Sequence, residues 1–128
     1  MLCHGDAHLG NVLVNGDTLW LIDWDDAARA PREHDLMFVL DGVLFFAPVS
    51  AQEQAWFFEG YGDVDVDLTR LTYYRCVRAL EDLADPTNQI LDVTGSSECE
   101  REKALSIVRG VLSPTGLVFM ATRSLPRR

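Results

Sequence analysis

The 128 residues are enough for one domain, and a hydrophobic content of 48% excludes a wholly disordered chain. The net charge of −9 comes entirely from residues 1–64, where eleven acidic residues stand against Arg29 and Arg32, whereas residues 65–128 hold nine of each sign. This acidity argues against a nucleic-acid partner and favours metal ions or polyamine-like molecules, although solubility alone could also explain it.

The first thirty residues predict two loops joined by a β-hairpin. Residues 1–11 are rich in His, Gly and Asp and indicate a loop. Two apolar runs, residues 12–14 and 19–22, flank Asn15-Gly16, a pair that tolerates the positive φ angles of a tight hairpin turn. Residues 23–31 then form a second, polar loop that ends in a proline.

The apolar stretch that follows predicts a buried helix. From Glu33 onward, apolar residues recur at helical spacing until Pro48 stops the pattern. The most apolar part, residues 36–49, is interrupted by Asp41 and Gly42 and is too short to span a bilayer. We therefore expect a core helix here and no membrane partner.

Three further helices are expected, and each has a recognisable first residue. Ser50 and Ser97 each stand three residues before a glutamate, which is the capping-box pattern, and Asp67 can cap the helix between them. The aromatic residues of the first of these helices are expected in the core. They are Trp56, Phe57, Phe58 and Tyr61.

The ends of these helices are marked by glycine and proline. The first is expected to end near Gly60, the second at Pro86, and the third at or near Pro114, after which a last segment covers residues 117–120. The basic residues of 123–128 predict a frayed, disordered tail.

The residues that can carry chemistry lie in the two loops around the hairpin. His4, Asp6 and Asn11 form the pattern H-x-D-x-x-x-x-N, and Asp23 follows twelve residues after Asn11. Because a hairpin returns the chain to the end from which it started, we expect Asp6, Asn11 and Asp23 to converge. Phosphoryl transfer needs such a set: a carboxylate to accept the proton of the acceptor hydroxyl, and oxygen ligands for Mg²⁺.

Other interpretations of the loops stay open at this point. The acidic residues could be solvated loop carboxylates, or they could serve a different hydrolase or metal-dependent enzyme. His4 and His8 could suggest a metal pair, but the neighbouring glycines disfavour a helix and no third ligand has the spacing of a zinc protease, so structural or exposed histidines are favoured. Trp24 is expected to pack rather than to stack on a ligand.

Cysteine usage bears on location. The three cysteines are far apart and form no C-x-x-C pattern, so a disulfide framework or a structural zinc site is disfavoured. No basic segment followed by an apolar one opens the sequence, as a secretory signal would. A cytoplasmic location fits best.

The motifs resemble those of the aminoglycoside phosphotransferase family, relatives of the protein kinases. That family typically has H-G-D-x-x-x-x-N, a short hairpin, I-D-W-[DE], and then an acidic-x-D-L pattern. Here these elements are H-G-D-A-H-L-G-N from His4, I-D-W-D from Ile22 and E-H-D-L from Glu33. The match covers about residues 2–40, and the stretch 22–38 is similar to spectinomycin kinases in particular.

The resemblance implies a fold and a set of roles. The fold is α+β and mainly α: a protein-kinase-like C-terminal lobe over residues 1–122, with a short catalytic-loop β-hairpin followed by a helical body. Asp6 would be the catalytic base, Asn11 and Asp23 the Mg²⁺ ligands, and His4 and Asp35 structural supports of the catalytic loop. From charge alone, two further residues could bind ammonium groups of the substrate. They are Asp25 and Asp26.

One departure from the family concerns the nucleotide. Kinase-like enzymes use an N-terminal lobe with a phosphate-binding lysine, but Lys103 is the only lysine and falls in a predicted late helix. We therefore expect a truncated or split product that requires a separate N-terminal lobe. The expected activity is phosphate transfer from ATP or GTP to a hydroxyl of a small, cationic molecule, such as an aminoglycoside-like antibiotic or a related metabolite. The alternative is an inactive remnant that acts as a binding module.

Overall fold

A computed structural model describes residues 1–40, 42–44, 47–92, 94–123 and 125. The strands are β1 (Leu2–Cys3), β2 (Val12–Asn15), β3 (Thr18–Leu21) and β4 (Ala28–Arg29). The helices are α1 (Glu33–Leu36), α2 (Ala51–Tyr61), α3 (Leu68–Leu91), α4 (Glu98–Val111) and α5 (Leu117–Arg123). The expected mainly α fold, with a hairpin followed by a helical body, is confirmed.

The chain divides into two compact units. The first comprises Met1–Gly42 and Val49–Leu71, and it contains all four strands and the predicted site. The second comprises Val43–Pro48 and Thr72–Arg128, with most of α3 and all of α4 and α5. Within the described ranges, every helix is too short or too polar to cross a bilayer.

The predicted hairpin is confirmed, with its turn displaced by one residue. Strands β2 and β3 pair antiparallel, from Val12 opposite Leu21 to Asn15 opposite Thr18. The two turn residues are therefore Gly16 and Asp17 rather than Asn15 and Gly16. Gly16 takes a φ of +58°, which glycine adopts without the steric cost that other residues meet.

A second pair of strands was not predicted. β1 and β4 pair antiparallel over two residues each, Leu2 opposite Arg29 and Cys3 opposite Ala28. Strands this short carry no detectable alternation of apolar and polar residues, so the sequence pattern cannot reveal them. The pairing joins the start of the first loop to the end of the second, and so closes the segment that carries the predicted site.

The predicted long helix over residues 36–49 is wrong for the part that the structure describes. α1 is a single turn, tighter turns continue it to Val39, and residues 47–49 are not helical. Gly42 takes a φ of +63°, a left-handed conformation that cannot continue an α-helix. The other predicted residues lie outside the described ranges. They are Asp41, Phe45 and Phe46.

The prediction that the aromatic residues of α2 form core is also wrong. Trp56 is 63% exposed, Phe57 and Tyr61 are exposed, and Phe58 is only partly buried. Because Trp56, Phe57 and Phe58 are consecutive, their side chains point around the helix instead of along one face. The rings of Phe57 and Tyr61, one turn apart, stack on each other with centroids 5.0 Å apart.

Helix α3 continues beyond its predicted end at Pro86. Proline has no N–H to donate to the carbonyl of Asp82, yet the helix runs on to Leu91. Asp82 forms a side-chain ion pair of 2.8 Å with Arg78 one turn earlier. α3 also buries Leu71 and Ala79, both of which lie before Pro86.

In the second unit, a close turn joins α4 to α5. A Cβ atom at Gly116 would lie 2.3 Å from the carbonyl oxygens of both Gly110 and Val111, so only glycine fits this position. The turn allows Leu117 and Ala121 of α5 to be buried. The predicted break near Pro114 and the following helical segment are confirmed, and α5 extends as far as Arg123.

Candidate active site

One carboxylate holds the start of the loop that carries Asp6 and Asn11. The main-chain N–H groups of His4 and Gly5 donate to Asp35 Oδ2 and Oδ1, each at 2.9 Å. His4 and Gly5 are both buried, so their N–H groups would lack water if Asp35 were removed. Asp35 lies inside α1, which follows β4 along the chain. These bonds are the kind that the supporting role predicted for Asp35 requires.

His4 connects the two loops through both of its ring nitrogens. Its Nε2 lies 2.8 Å from the carbonyl oxygen of Ile22, and its Nδ1 lies 3.2 Å from the main-chain nitrogen of Asp6. A carbonyl can only accept and an N–H can only donate, so these partners select the tautomer with the proton on Nε2. The indole of Trp24 packs against this imidazole with ring centroids 4.7 Å apart. Trp24 thus packs, as expected, although 48% of it is exposed.

Asp6 and Asn11 are joined by their side chains. The Asn11 amide nitrogen donates to the main-chain oxygen of Asp6 at 2.9 Å and to Asp6 Oδ2 at 3.1 Å. His8 Nε2 lies 3.3 Å from the same Oδ2, and His8 Nδ1 accepts from the N–H of Gly10 at the start of a single 3₁₀ turn. The carboxylate of Asp6 is therefore oriented from two sides and remains partly accessible, at 19%.

The hairpin brings Asp23 next to Asn11 along the main chain. The N–H of Ile22 donates to the carbonyl of Asn11 at 2.9 Å, which extends the ladder of β2 and β3 by one bond. Asp23 follows immediately and is exposed, with a φ of +63°. It is the only non-glycine residue of the described ranges with a positive φ, a conformation that Asp and Asn tolerate better than most residues.

The two loops also meet at Gly5. A Cβ atom on Gly5 would lie 2.4 Å from the carbonyl oxygen of Asp26, and Gly5 has a φ of +88°. Glycine is therefore required at this position for two reasons: the backbone has a positive φ, and a Cβ atom would clash with the main chain of Asp26. Asp25 and Asp26 have exposed side chains beside this contact, and their expected role in substrate binding stays a prediction.

Comparison with known proteins places this site in a family. Over residues 1–85 the sequence matches the phosphotransferase enzyme family. The chain belongs to that family. No curated protein gives a significant match to this chain.

Two solved structures are similar to this chain. Spectinomycin phosphotransferase APH(9)-Ia in complex with ADP and spectinomycin is 36% identical with a TM-score of 0.79, over 96% of this chain and 37% of that one. The AMP-bound complex of the same enzyme is 36% identical with a TM-score of 0.76, over 94% and 36% of the two chains. This chain therefore spans little more than a third of these structures, and its fold is a fragment of their kinase-like fold. The family inferred from the motifs is confirmed.

The sequence did not predict the contact of His8 with Asp6. The histidine was expected to be structural or exposed, and its spacing of two residues from Asp6 within a loop gave no reliable signal. It also missed a cluster of one sulfur, one imidazole nitrogen and one carboxylate oxygen within 4.8 Å of one another, from Cys3, His34 and Asp35. Residues 31 positions apart give no spacing motif, so the sequence could not reveal it.

The cluster of Cys3, His34 and Asp35 lies where Asp35 holds the start of the Asp6 loop. Burial, and then the negative charge of Asp35, raise the pKa of the Cys3 thiol above its ordinary value of 9.0. The thiol therefore stays protonated at neutral pH, and Sγ lies 3.4 Å from the carbonyl oxygen of Pro31, to which it donates. With both Asp35 oxygens already accepting from the loop, we assign these groups to packing rather than to metal binding.

Proposed function

We propose that this chain supplies the catalytic loop of an ATP-dependent phosphotransferase that acts on a hydroxyl of a small, cationic molecule. The observation that carries the proposal is the side-chain link between Asp6 and Asn11, in a loop whose main chain runs beside Asp23. The adenine nucleotides bound by the similar enzyme support ATP as the donor over GTP, and the spectinomycin bound there makes spectinomycin the first substrate to test.

In this proposal Asp6 is the general base. The hydroxyl oxygen of the acceptor attacks the γ-phosphorus, its proton passes to the Asp6 carboxylate, and the bond from phosphorus to the leaving ADP oxygen breaks. Asn11 and His8 both contact Oδ2, which fixes the direction in which the carboxylate faces. Orientation of this kind accounts for much of the catalysis that a general base can provide.

The residues present fit a hard divalent cation. Asn11 uses its amide nitrogen toward Asp6, so its amide oxygen is the atom suited to a cation, and Asp23 offers an accessible carboxylate. We propose that these two residues would hold Mg²⁺. The ion would neutralise negative charge on the phosphates.

The acceptor and the donor are both recognised partly outside the Asp6 loop. We propose that Asp25 and Asp26, exposed next to Gly5, attract ammonium groups of the acceptor, because the acidic charge of the chain is concentrated in this half. We also propose that a separate N-terminal lobe binds the nucleotide. A cytoplasmic setting would suit the three cysteines, which are all free.

A chimeric enzyme tests this function. This chain would replace the segment of APH(9)-Ia that it matches, so that the rest of that enzyme provides the nucleotide-binding parts. We expect the chimera to convert ATP and spectinomycin to ADP and phosphorylated spectinomycin, followed by ³¹P NMR and mass spectrometry. Asp6→Asn should lower the rate by about 10²–10⁴-fold, the usual contribution of a general base. Asp17→Asn, which changes an exposed carboxylate in the hairpin turn, is the matched control.

The outcomes distinguish a phosphotransferase from an inactive remnant that only binds. Transfer that depends on Asp6 but not on Asp17 supports the phosphotransferase. A chimera that folds and binds Mg-ATP but transfers nothing would instead identify this chain as a remnant that only binds. Transfer that survives Asp6→Asn would refute the assignment of the base.

A further inference from the structure

The ring of His8 has neighbours on three sides. Its Nδ1 accepts from the main-chain N–H of Gly10 at 2.9 Å, and its Nε2 lies 3.3 Å from Asp6 Oδ2. The ring of Phe38, a buried residue, lies at a centroid distance of 6.2 Å. Only 22% of the His8 side chain is accessible. The imidazole therefore has a defined position beside the carboxylate of Asp6.

The two polar contacts of His8 agree with one neutral tautomer. A main-chain N–H can only donate, so Nδ1 must carry the lone pair that accepts from Gly10. The ring proton of neutral His8 is then on Nε2, the nitrogen that faces Asp6. An ionised carboxylate can only accept, so Asp6 requires the same tautomer. The main-chain N–H of Gly10 therefore selects the ring nitrogen that donates to Asp6.

Gly10 also leaves the space that the ring of His8 occupies. A Cβ atom at Gly10 would lie 2.6 Å from His8 Cε1 and 2.8 Å from His8 Nδ1. Gly10 is exposed and does not have a positive φ, so its main chain can accept alanine. The atoms that would clash belong to a side chain that can change rotamer. An added methyl group should therefore displace the imidazole and leave the fold intact.

We propose that His8 is a positioning residue for Asp6, and that Gly10 sets both the place and the tautomer of its ring. The inference rests on the proposed function, in which Asp6 accepts the proton of the acceptor hydroxyl. Asn11 Nδ2 lies 3.1 Å from Asp6 Oδ2, and His8 Nε2 brings a second donor to the same oxygen. Two donors in fixed places restrict rotation of the carboxylate more than one does, and His8 acts only through this restriction.

Two variants of His8 separate its contact with Gly10 from its contact with Asp6. His8→Asn keeps a side-chain acceptor for the N–H of Gly10, as a residue that begins a helical turn should, but its amide nitrogen is one bond nearer to Cα than Nε2 is. It should therefore lose the contact with Asp6. His8→Gln carries an amide nitrogen at the same number of bonds from Cα as Nε2, so it can restore that contact.

Steady-state kinetics of the APH(9)-Ia chimera described above test the role of His8. We expect His8→Asn to lower kcat about 10–100-fold, the effect of losing one charge-assisted hydrogen bond, with little change in KM for spectinomycin. His8→Gln should recover part of that loss. Gly10→Ala should also lower kcat, although its urea midpoint should equal that of wild type. Gly60→Ala is the matched control, because a Cβ there meets nothing within 4 Å, and its kcat should not alter.

NMR of the whole 128-residue chain tests the geometry without any activity. At alkaline pH the ¹⁵N resonances of the His8 ring should show a protonated Nε2 and an unprotonated Nδ1. Gly10→Ala should mix the two tautomers. The carboxyl ¹³C resonance of Asp6 should move in His8→Asn and return toward its wild-type position in His8→Gln.

The kinetic and spectroscopic results together decide the proposal. It is overturned if the proton is on Nδ1, if the Asp6 resonance is the same in His8→Asn as in wild type, or if an active chimera keeps its kcat in a folded His8→Asn. If His8→Asn does not fold, Gly10→Ala takes its place in both measurements. A chimera that transfers nothing would count against the proposed function, while the spectra would still decide whether His8 holds Asp6.

Discussion

The two carboxylate oxygens of Asp35 accept from two consecutive main-chain N–H groups at the start of the loop that carries Asp6. The supporting role expected for Asp35 stays a prediction that these bonds allow to be tested. Asp35 and His4 are 31 residues apart along the chain, so the bond joins two segments that only the tertiary fold brings together.

We expect Asp35→Asn to destabilise the chain. The new amide would direct an NH₂ group toward one of the two N–H donors, so that one buried donor loses its acceptor. The free energy of unfolding should fall by about 1–3 kcal/mol, measured by urea denaturation. Asp17→Asn makes the same chemical change in an exposed turn and should leave the midpoint almost unchanged. Equal midpoints for the two variants would contradict the supporting role of Asp35.

Alanine substitutions at Gly5 and Gly16 distinguish the stability cost of backbone strain from the cost of a steric clash. Both have a positive φ, but a Cβ on Gly16 meets nothing within 4 Å, whereas a Cβ on Gly5 meets the main chain of Asp26. Gly16→Ala should cost roughly 1–2 kcal/mol from backbone strain alone. Gly5→Ala should cost more, about 2–5 kcal/mol, because the two loops must also move apart. Thermal denaturation of both variants checks the order, and a Gly5→Ala variant no less stable than Gly16→Ala would show that the loops do not meet.

The capping boxes show how local sequence determines a helix start. Ser50 accepts from the N–H of Glu53 while Glu53 accepts from Ser50, and Ser97 and Glu100 repeat the arrangement. Both boxes were predicted, because each needs only residues three positions apart. The end of α3 was not predicted, since Pro86 was expected to end the helix and the helix instead continues to Leu91.

These boxes imply a dependence of stability on pH. Hydrogen bonds from the side chain and main chain of Ser50 lower the pKa of Glu53 below its ordinary value of 4.5. A carboxyl group whose pKa is lowered by folding stabilises the folded state above its unfolded pKa, and this contribution is lost as the pH falls through the folded pKa. Glu53→Gln, which resembles the protonated acid, should therefore be less stable than wild type at neutral pH.

The difference between Glu53→Gln and wild type should shrink toward zero as the pH falls through the acidic range below 4.5. Urea denaturation of both proteins at several pH values measures it. Glu59→Gln on the same helix, outside the capping box, is a suitable control. A difference that stays constant with pH would mean that the box forms no better with an ionised acid.

At the scale of the molecule, sequence motifs identified the family more reliably than they identified the core. Residues of the H-x-D-x-x-x-x-N pattern act within a few positions of each other, so their hydrogen bonds could be expected from spacing. Burial depends on which distant surfaces meet, and the sequence alone does not specify them. The aromatic residues of α2 were therefore placed in the core wrongly, and the buried Glu33 was read only as part of a motif.

The exposure of the tryptophans can be measured, which tests whether such aromatic side chains lie outside the core. Trp20, Trp24 and Trp56 are 47%, 48% and 63% exposed. Acrylamide should therefore quench the fluorescence of the folded chain with a constant about half of that in urea, because roughly half of each indole is already accessible. Much weaker quenching that recovers on dilution would indicate that chains associate through these aromatic surfaces.

The left-handed backbone at Asp23 has a consequence for mutational tolerance. Only a few amino acids adopt such a conformation cheaply, glycine and asparagine among them, and neither carries a carboxylate. A saturation library at this position should therefore contain variants that fold normally yet have lost the acidic group, alongside β-branched variants that fold poorly. Comparing the abundance of each folded variant with its activity would distinguish two requirements at position 23. One is for the left-handed backbone conformation, and the other is for the negative charge.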